Sequence, residues 1–209
     1  MKHFLDLFAG LGGASEAFVQ DLDNWSVLRI DNNLLLQDVP YMVIDDILVR
    51  QHNLVPNPDH KIDVIWASPP CTEFSGGFNS PKSKAARSPG GLDAYEPDMS
   101  YLEATMRIIE IVRPKYWIIE NVVGSIRYFA EYLGEPRQIV GPYVLWGNFP
   151  MLTVDKSKLD NKQDRDSTPH PLRSNRRAKV SFEVSQSRST GGVGPAIQTT
   201  LGYTFSLFQ

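Results

Sequence analysis

HFLDLFAGLGGASEAFVQDL, residues 3–22, decides how the rest of the chain is read. A short apolar run ends at Gly10, Gly12 and Gly13, and a segment with Ala14, Phe18 and Val19 on one helical face follows. That order predicts a strand, a glycine turn and a helix. Glycines directly after a strand let the backbone pass close to a ligand and start a helix beneath it. The dinucleotide fingerprint needs a third glycine where this chain has Ser15, so a nicotinamide or flavin fold is disfavoured. An adenosine-containing ligand without a pyrophosphate fits better.

The same strand-then-polar ending recurs downstream. WSVLRIDNN (25–33) ends in acid and amide residues, YMVIDDI (41–47) carries two aspartates, and KIDVIWASPPC (61–71) stops at polar and proline residues. MSYLEATMRIIEIVRPK (99–115) sets Leu102, Met106 and Ile109 at helical spacing, and Pro114 ends that helix before the strand YWIIENV (116–122). Alternating strands and helices predict an α/β fold: a mostly parallel, Rossmann-like sheet with helices on both faces and ligands at the carboxyl edge. IVGPYVLWGNF (139–149) reads as one or two antiparallel strands. Ser75 to Asp98, rich in Gly, Ser, Pro, Lys and Arg without either period, reads as a long surface loop, and residues 152–179 read as loop as well.

The 209 residues, 42% hydrophobic and 22% charged, suit one soluble α/β unit, expected over 1–150, with an irregular basic segment over 151–209. One cysteine excludes a disulfide framework and a thiolate metal cluster. With no run of membrane or signal-sequence length, a reducing cytoplasm and no membrane partner are expected. The net charge of −3 argues against coating nucleic acid by bulk attraction. Lys156 to Lys179 is nonetheless locally basic, and reads either as a solvated loop or as a phosphate-contacting surface.

Three polar groups on these strand ends are candidates for chemistry. Asp31 sits where an acid commonly accepts both ribose hydroxyls, or is an ordinary turn or cap aspartate. Cys71 lies just past an apolar run, after two prolines and before the loop, where a nucleophile is accessible; a cysteine that was only a small buried hydrophobe would sit inside such a run. Glu120 is delivered with Asn121 by an apolar strand to the same sheet edge, as a capping acid or as a partly desolvated general acid. A thiol and a desolvated acid on neighbouring strand ends are two parts of a covalent addition mechanism.

The chain resembles the DNA cytosine-5 methyltransferases. DLFAGLGG looks like their S-adenosylmethionine-binding motif, SPPCTEFS like their nucleophile motif and IIENV like their Glu-Asn-Val motif, in that order, over about residues 3 to 123. The resemblance implies S-adenosylmethionine as cofactor, contacted by Phe8, Ala9, Gly10, Gly12, Asp31, Asp46, Ile47, Ser68 and Pro70, and no metal. It implies Cys71 adding to C6 of a flipped cytosine in DNA, Glu120 protonating the ring at N3, and Asn121 orienting the site. It implies DNA contacts from Ser75, Lys82, Lys84 and Arg87 in the loop, with cytoplasm of a bacterial or phage-infected cell as the location.

The chain also departs from that family. Thr72 follows the cysteine where members often have glutamine, and the Gln-x-Arg-x-Arg motif is reduced to the fragment Gln186-Ser187-Arg188. Arg173, Arg176 or Arg177 are the expected substitutes, and the closing Asn-containing motif is not recognisable. About ninety residues follow the Glu-Asn-Val motif, so a compact form without a large recognition region is expected, which tips the basic stretch toward phosphate binding. Alternatives are a cytosine methyltransferase acting on RNA, a non-catalytic DNA-binding relative, and a transferase using a modified sulfonium donor.

Overall fold

A computed structural model of the chain describes residues 1–53, 61–154, 196–198 and 203–206. Seven strands form one sheet: β1 (Lys2–Leu7), β2 (Trp25–Asp31), β3 (Met42–Ile44), β4 (Val64–Ala67), β5 (Tyr116–Val122), β6 (Gln138–Val140) and β7 (Tyr143–Asn148). Their order is β3-β2-β1-β4-β5-β7-β6. β1 to β5 pair in parallel, and β7 enters antiparallel between β5 and β6. The 3-2-1-4-5 run is that of a doubly wound sheet, whose order reverses between β1 and β4. β1 is thus followed by the glycine turn, and β4 by the Ser68–Cys71 segment, at one crevice.

Alternation along the strands makes two cores. Phe4, Val64, Trp66, Ile118 and Leu145 face one side, packed with Phe18 and Trp25. Leu5, Leu7, Ile65, Ala67, Ile119 and Trp146 face the other, under Ile47, Leu102, Ile108 and Phe129. Those last four lie on α2 (Ile47–Asn53), α4 (Ser100–Val112) and α5 (Ile126–Leu133). The first face carries α1 (Glu16–Val19), and burial of both faces explains why β4 is apolar throughout. A separate small sheet joins β8 (Thr153–Val154), β10 (Tyr203–Ser206) and β9 (Ala196–Gln198), antiparallel, in the order β8-β10-β9.

Several expectations are corrected. The first helix is one turn only, burying Ala17 and Phe18, because the chain turns at Asp21 to enter β2, Trp25 N donating to Asp21 O. Ser75–Asp98 is not wholly loop: α3 (Pro81–Ala86) starts at Ser80, whose Oγ accepts from Ser83 N, with Pro81 in the first turn. Ser-Pro is a helix start signal in its own right. The buried stripe of α4 is Leu102, Ala104, Thr105 and Ile108, with Met106 and Ile109 half-buried. That helix stops at Arg113, left-handed at φ 50, immediately before Pro114. The antiparallel reading of 139–149 is correct. The packed chain runs past residue 150, since Leu152 is buried and Gln138 bonds both its N–H and its carbonyl.

Candidate active site

The crevice has two walls. On the first, Ala9 N donates to Ile30 O, prolonging the β1–β2 pairing into the glycine turn. Phe8 (φ 59), Gly10 (φ 54) and Gly12 (φ 80) are all left-handed there. Gly10 N donates to Asp31 Oδ2 at 2.9 Å, and Asn33 N to Asp31 Oδ1 at 3.0 Å. Each carboxylate oxygen of Asp31 keeps a lone pair for a ligand. Space above Gly10 is open, with no atom within 4 Å of a Cβ placed there. Asp46 caps α2 through Leu48 N and stays half-buried, whereas Ile47 is buried in the core. The Phe8 ring meets Tyr101 of α4 edge-on at 5.4 Å. An open backbone cradle, a carboxylate at the end of β2 and flanking aromatic rings together fit an adenosyl group.

On the second wall, Ser68 N donates to Leu7 O, so β4 runs in register with β1 up to the prolines. Ala67 lies opposite Ile119 in the β4–β5 ladder, which sets Ser68 beside Glu120. Ser68 Oγ accepts from Trp66 Nε1 at 2.9 Å and donates to Glu120 Oε2 at 3.1 Å. Ser68, expected to touch a cofactor, thus orients the acid. Glu120 is 8% exposed. Desolvation lifts its carboxyl to about 7, against the opposing hydrogen bonds of Ser68 and Trp66. Asn121 Nδ2 donates to Pro69 O at 3.0 Å while Val122 N donates to Asn121 Oδ1, so β5 holds the backbone that precedes the cysteine.

Cys71 itself is exposed. Its carbonyl accepts Phe74 N and Ser75 N, forming the turn that starts the loop, and Phe74 pins that turn against Phe129 and Tyr128. Partial desolvation pushes the thiol above its ordinary value, and the Glu120 charge adds to the rise. A pocket under the same turn is lined by Pro69, Pro70, Thr72, Phe74, Tyr101 and Leu102, so Thr72 faces it while Cys71 is not part of its wall.

The loop residues divide. Lys82 Nζ donates to Gly124 O at 3.1 Å and Phe74 O at 3.4 Å, tying the loop to the end of β5. The Ser75 carbonyl accepts Ser80 Oγ, so this residue shapes the loop from within. Lys84 is exposed. Arg87 donates to Phe78 O at 2.7 Å and stacks 4.2 Å from the centre of the Phe78 ring, which is 76% exposed. Tyr95 OH reaches back to Glu73 Oε2 at 2.5 Å, closing the loop onto the turn after Cys71. Arg173, Arg176 and Arg177 lie outside the described residues.

Sequence reasoning missed the Trp66–Ser68–Glu120 chain, Phe78, and a buried Arg29 under the glycine turn. For Arg29 a signal existed: a charged residue inside the apolar run WSVLRID demands buried partners. Among the described residues no group of three His, Cys, Asp or Glu is arranged for a metal ion, and no helix is long and apolar enough to cross a membrane.

Known proteins are similar to this chain in sequence. The protein named "Probable DNA (cytosine-5)-methyltransferase" of Frog virus 3 (isolate Goorha) is 32% identical over 149 residues, 68% of this chain and 64% of that protein. Type II methyltransferase M1.HphI of Haemophilus parahaemolyticus is 27% identical over 148 residues, 64% of this chain and 35% of its own length. Type II methyltransferase M.DdeI of Desulfomicrobium norvegicum is 26% identical over 153 residues, 66% and 34% of the two chains. The chain thus spans from about a third to just under two thirds of these relatives. The C-5 cytosine-specific DNA methylase model matches residues 2–127, which hold both crevice walls, Cys71 and Glu120. The chain belongs to the C-5 cytosine-specific DNA methylase family.

Proposed function

We propose that this chain transfers a methyl group from S-adenosylmethionine to C5 of cytosine in DNA, with Cys71 as nucleophile and Glu120 as acid. The observation that carries the reading is the pair itself: an exposed thiol in the segment after β4 and a buried carboxyl, lifted to about 7, on the adjacent strand β5. Cytosine C5 is a poor nucleophile while the ring is aromatic. The Cys71 thiolate forms an S–C6 bond, the C5–C6 π pair moves toward C4, and N3 takes the Glu120 proton, leaving an enamine whose C5 is electron-rich. Gly10, Asp31, Asp46 and the Phe8–Tyr101 wall would hold S-adenosylmethionine, which would supply an electrophilic methyl group for that carbon and leave as S-adenosylhomocysteine. Loss of the C5 proton to a base and cleavage of the S–C6 bond restore the ring and the thiolate.

Asn121 fixes Pro69 and so the approach of Cys71, and Ser68 fixes the Glu120 oxygen. A cytosine within a duplex cannot reach this crevice without leaving the stack. The exposed Phe78 ring backed by Arg87 offers a surface for an unstacked base, and Lys84 a free ammonium for phosphate. The segments 1–150 and 151–209 divide the work in this reading. The first holds the chemistry, and the basic stretch with Arg173, Arg176 and Arg177 contacts phosphate.

The test is labelled-methyl incorporation from S-adenosylmethionine into DNA and, in parallel, RNA, with Cys71→Ala as control. Incorporation into DNA that vanishes in the variant is expected, together with a covalent adduct on 5-fluorocytosine DNA. Equal incorporation by both proteins, or a preference for RNA, overturns the reading.

A further inference from the structure

Beneath the glycine turn lies a charged cluster that the chemistry above does not use. Arg29 is 1% exposed, yet its guanidinium makes four hydrogen bonds: Nε to Ser15 Oγ (2.8 Å), one terminal nitrogen to Pro40 O (3.1 Å), and the other to Gly12 O (3.0 Å) and Glu16 Oε2 (2.8 Å). Ser15 Oγ in turn donates to Asp6 Oδ2 at 2.6 Å, and both residues are buried. β1, the glycine turn, α1 and the chain before β3 therefore converge on one guanidinium. A planar fork can serve four acceptors at once, which an ammonium on a flexible stem cannot.

The fit at Gly12 is closer than a hydrogen bond requires. A Cβ built there would lie 2.2 Å from Arg29 Cζ, so the guanidinium occupies the volume a side chain would take. The backbone of Gly12, at φ 80, rests directly on it. At Gly10 the situation is reversed, with open space and a side-on tether to Asp31. The turn is thus supported from below by Arg29 and left bare on its upper side.

We propose that Arg29 is a positioning residue for the cofactor: it holds the Phe8–Gly13 backbone in its ligand-ready shape through Gly12, Ser15 and Glu16 without touching the ligand. The inference rests on the reading that this turn binds S-adenosylmethionine. Preorganisation of that backbone is removed when the fork is lost, so binding of the cofactor weakens while the nucleophile wall, built from β4 and β5, is unaffected.

Arg29→Lys and, as a milder change at a half-exposed partner, Glu16→Gln test this by three measurements. Calorimetric titration with S-adenosylhomocysteine is expected to show an affinity about ten-fold weaker for Arg29→Lys, the order of one charge-assisted hydrogen bond, and about three-fold weaker for Glu16→Gln. Steady-state kinetics are expected to show KM for S-adenosylmethionine rising with kcat nearly unchanged. Hydrogen exchange without ligand is expected to quicken in the peptide covering residues 8–15 and not in those covering 64–68 or 116–122. Wild-type affinity in both variants overturns the proposal, as does faster exchange across all three peptides, which marks general loosening. If Arg29→Lys does not fold, Glu16→Gln decides by the same readings. Absence of binding by the wild-type chain overturns instead the cofactor reading, and the exchange measurement still decides whether Arg29 holds the turn.

Discussion

Glu120→Gln should make the protein more stable above neutral pH while disabling it. The carboxyl is buried and its value rises from an ordinary 4.5 to about 7, chiefly by desolvation. A group with a raised folded-state value contributes its stability in full below the unfolded value and loses it as pH climbs through the folded one. Wild-type stability from this group is therefore intact below about pH 4.5, declines across 4.5 to 7, and is flat beyond. At about 1.4 kcal/mol per pH unit separating the two values, the full loss is about 3 kcal/mol. Glutamine keeps an oxygen for Ser68 Oγ and carries no charge at any pH, so the variant avoids that loss.

The gap between variant and wild type should widen by about 2–3 kcal/mol from pH 5 to pH 8, which is on the order of 1–2 M in urea midpoint for a domain of this size. Asp6, also lifted to about 7 by burial, adds a slope of the same sign to both proteins. Because the Asp6 charge contributes to the rise at Glu120, the measured difference belongs to the pair, and Asp6→Asn made in both backgrounds isolates the Glu120 share. Urea unfolding at the two pH values, followed by tryptophan fluorescence, measures it. Methyl transfer by the variant should fall about 10²- to 10⁴-fold, the range of a lost general acid. Midpoint differences equal at pH 5 and pH 8 would refute the claim that Glu120 is held uncharged by burial, and with it the assignment of this residue as acid.

Asn121→Ala leaves Pro69 O unpaired in a buried setting and should cost about 1–3 kcal/mol in unfolding experiments, with a lower kcat because the backbone before Cys71 loses its tether. Lys84→Gln should reduce the slope of log affinity against log salt for DNA by about one, whereas Lys82→Gln, whose ammonium is spent on two carbonyls, should leave the slope unchanged; fluorescence anisotropy across a salt series separates them. Gly124→Ala places a Cβ 2.1 Å from Phe74 O, so the turn that carries Cys71 must shift, and trapping on 5-fluorocytosine DNA should slow with little change in S-adenosylmethionine affinity.

How far the sequence was legible follows from which signals are local. Strand ends marked by Asp31, Ser68 and Glu120 are local, since apolar runs stop where polar residues begin, and the parallel core with its crevice was readable from them. The one-turn α1 was not, because its length is set by where β2 must start rather than by the periodicity of Ala14, Phe18 and Val19. Ser80-Pro81 was a local signal overlooked inside a segment of loop-like composition. The roles of Ser68, Lys82 and Arg29 depend on partners 52, 42 and 17 residues away, and no pattern along the chain names such partners.

The raised values of Cys71 and Glu120 have to be read as one property. With Glu120 at about 7 and the thiol above its ordinary 9.0, the abundant form between those values is carboxylate with thiol. The proposed addition to C6 requires the opposite distribution, thiolate with neutral acid, which the upward shift of both groups disfavours in the resting enzyme. In the proposed reaction, a cytosine placed against Cys71 and Glu120 changes both sides of that balance. It excludes water from Glu120, favouring the neutral acid, and presents N3 as the acceptor for its proton. Once Glu120 is neutral, the negative charge that opposed the thiolate is gone, so ionisation of Cys71 becomes easier at the moment C6 is within reach. In the proposed mechanism, Cys71 and Glu120 titrate as a single unit whose productive form the substrate favours. The resting thiol is correspondingly protected from adventitious electrophiles despite its exposure.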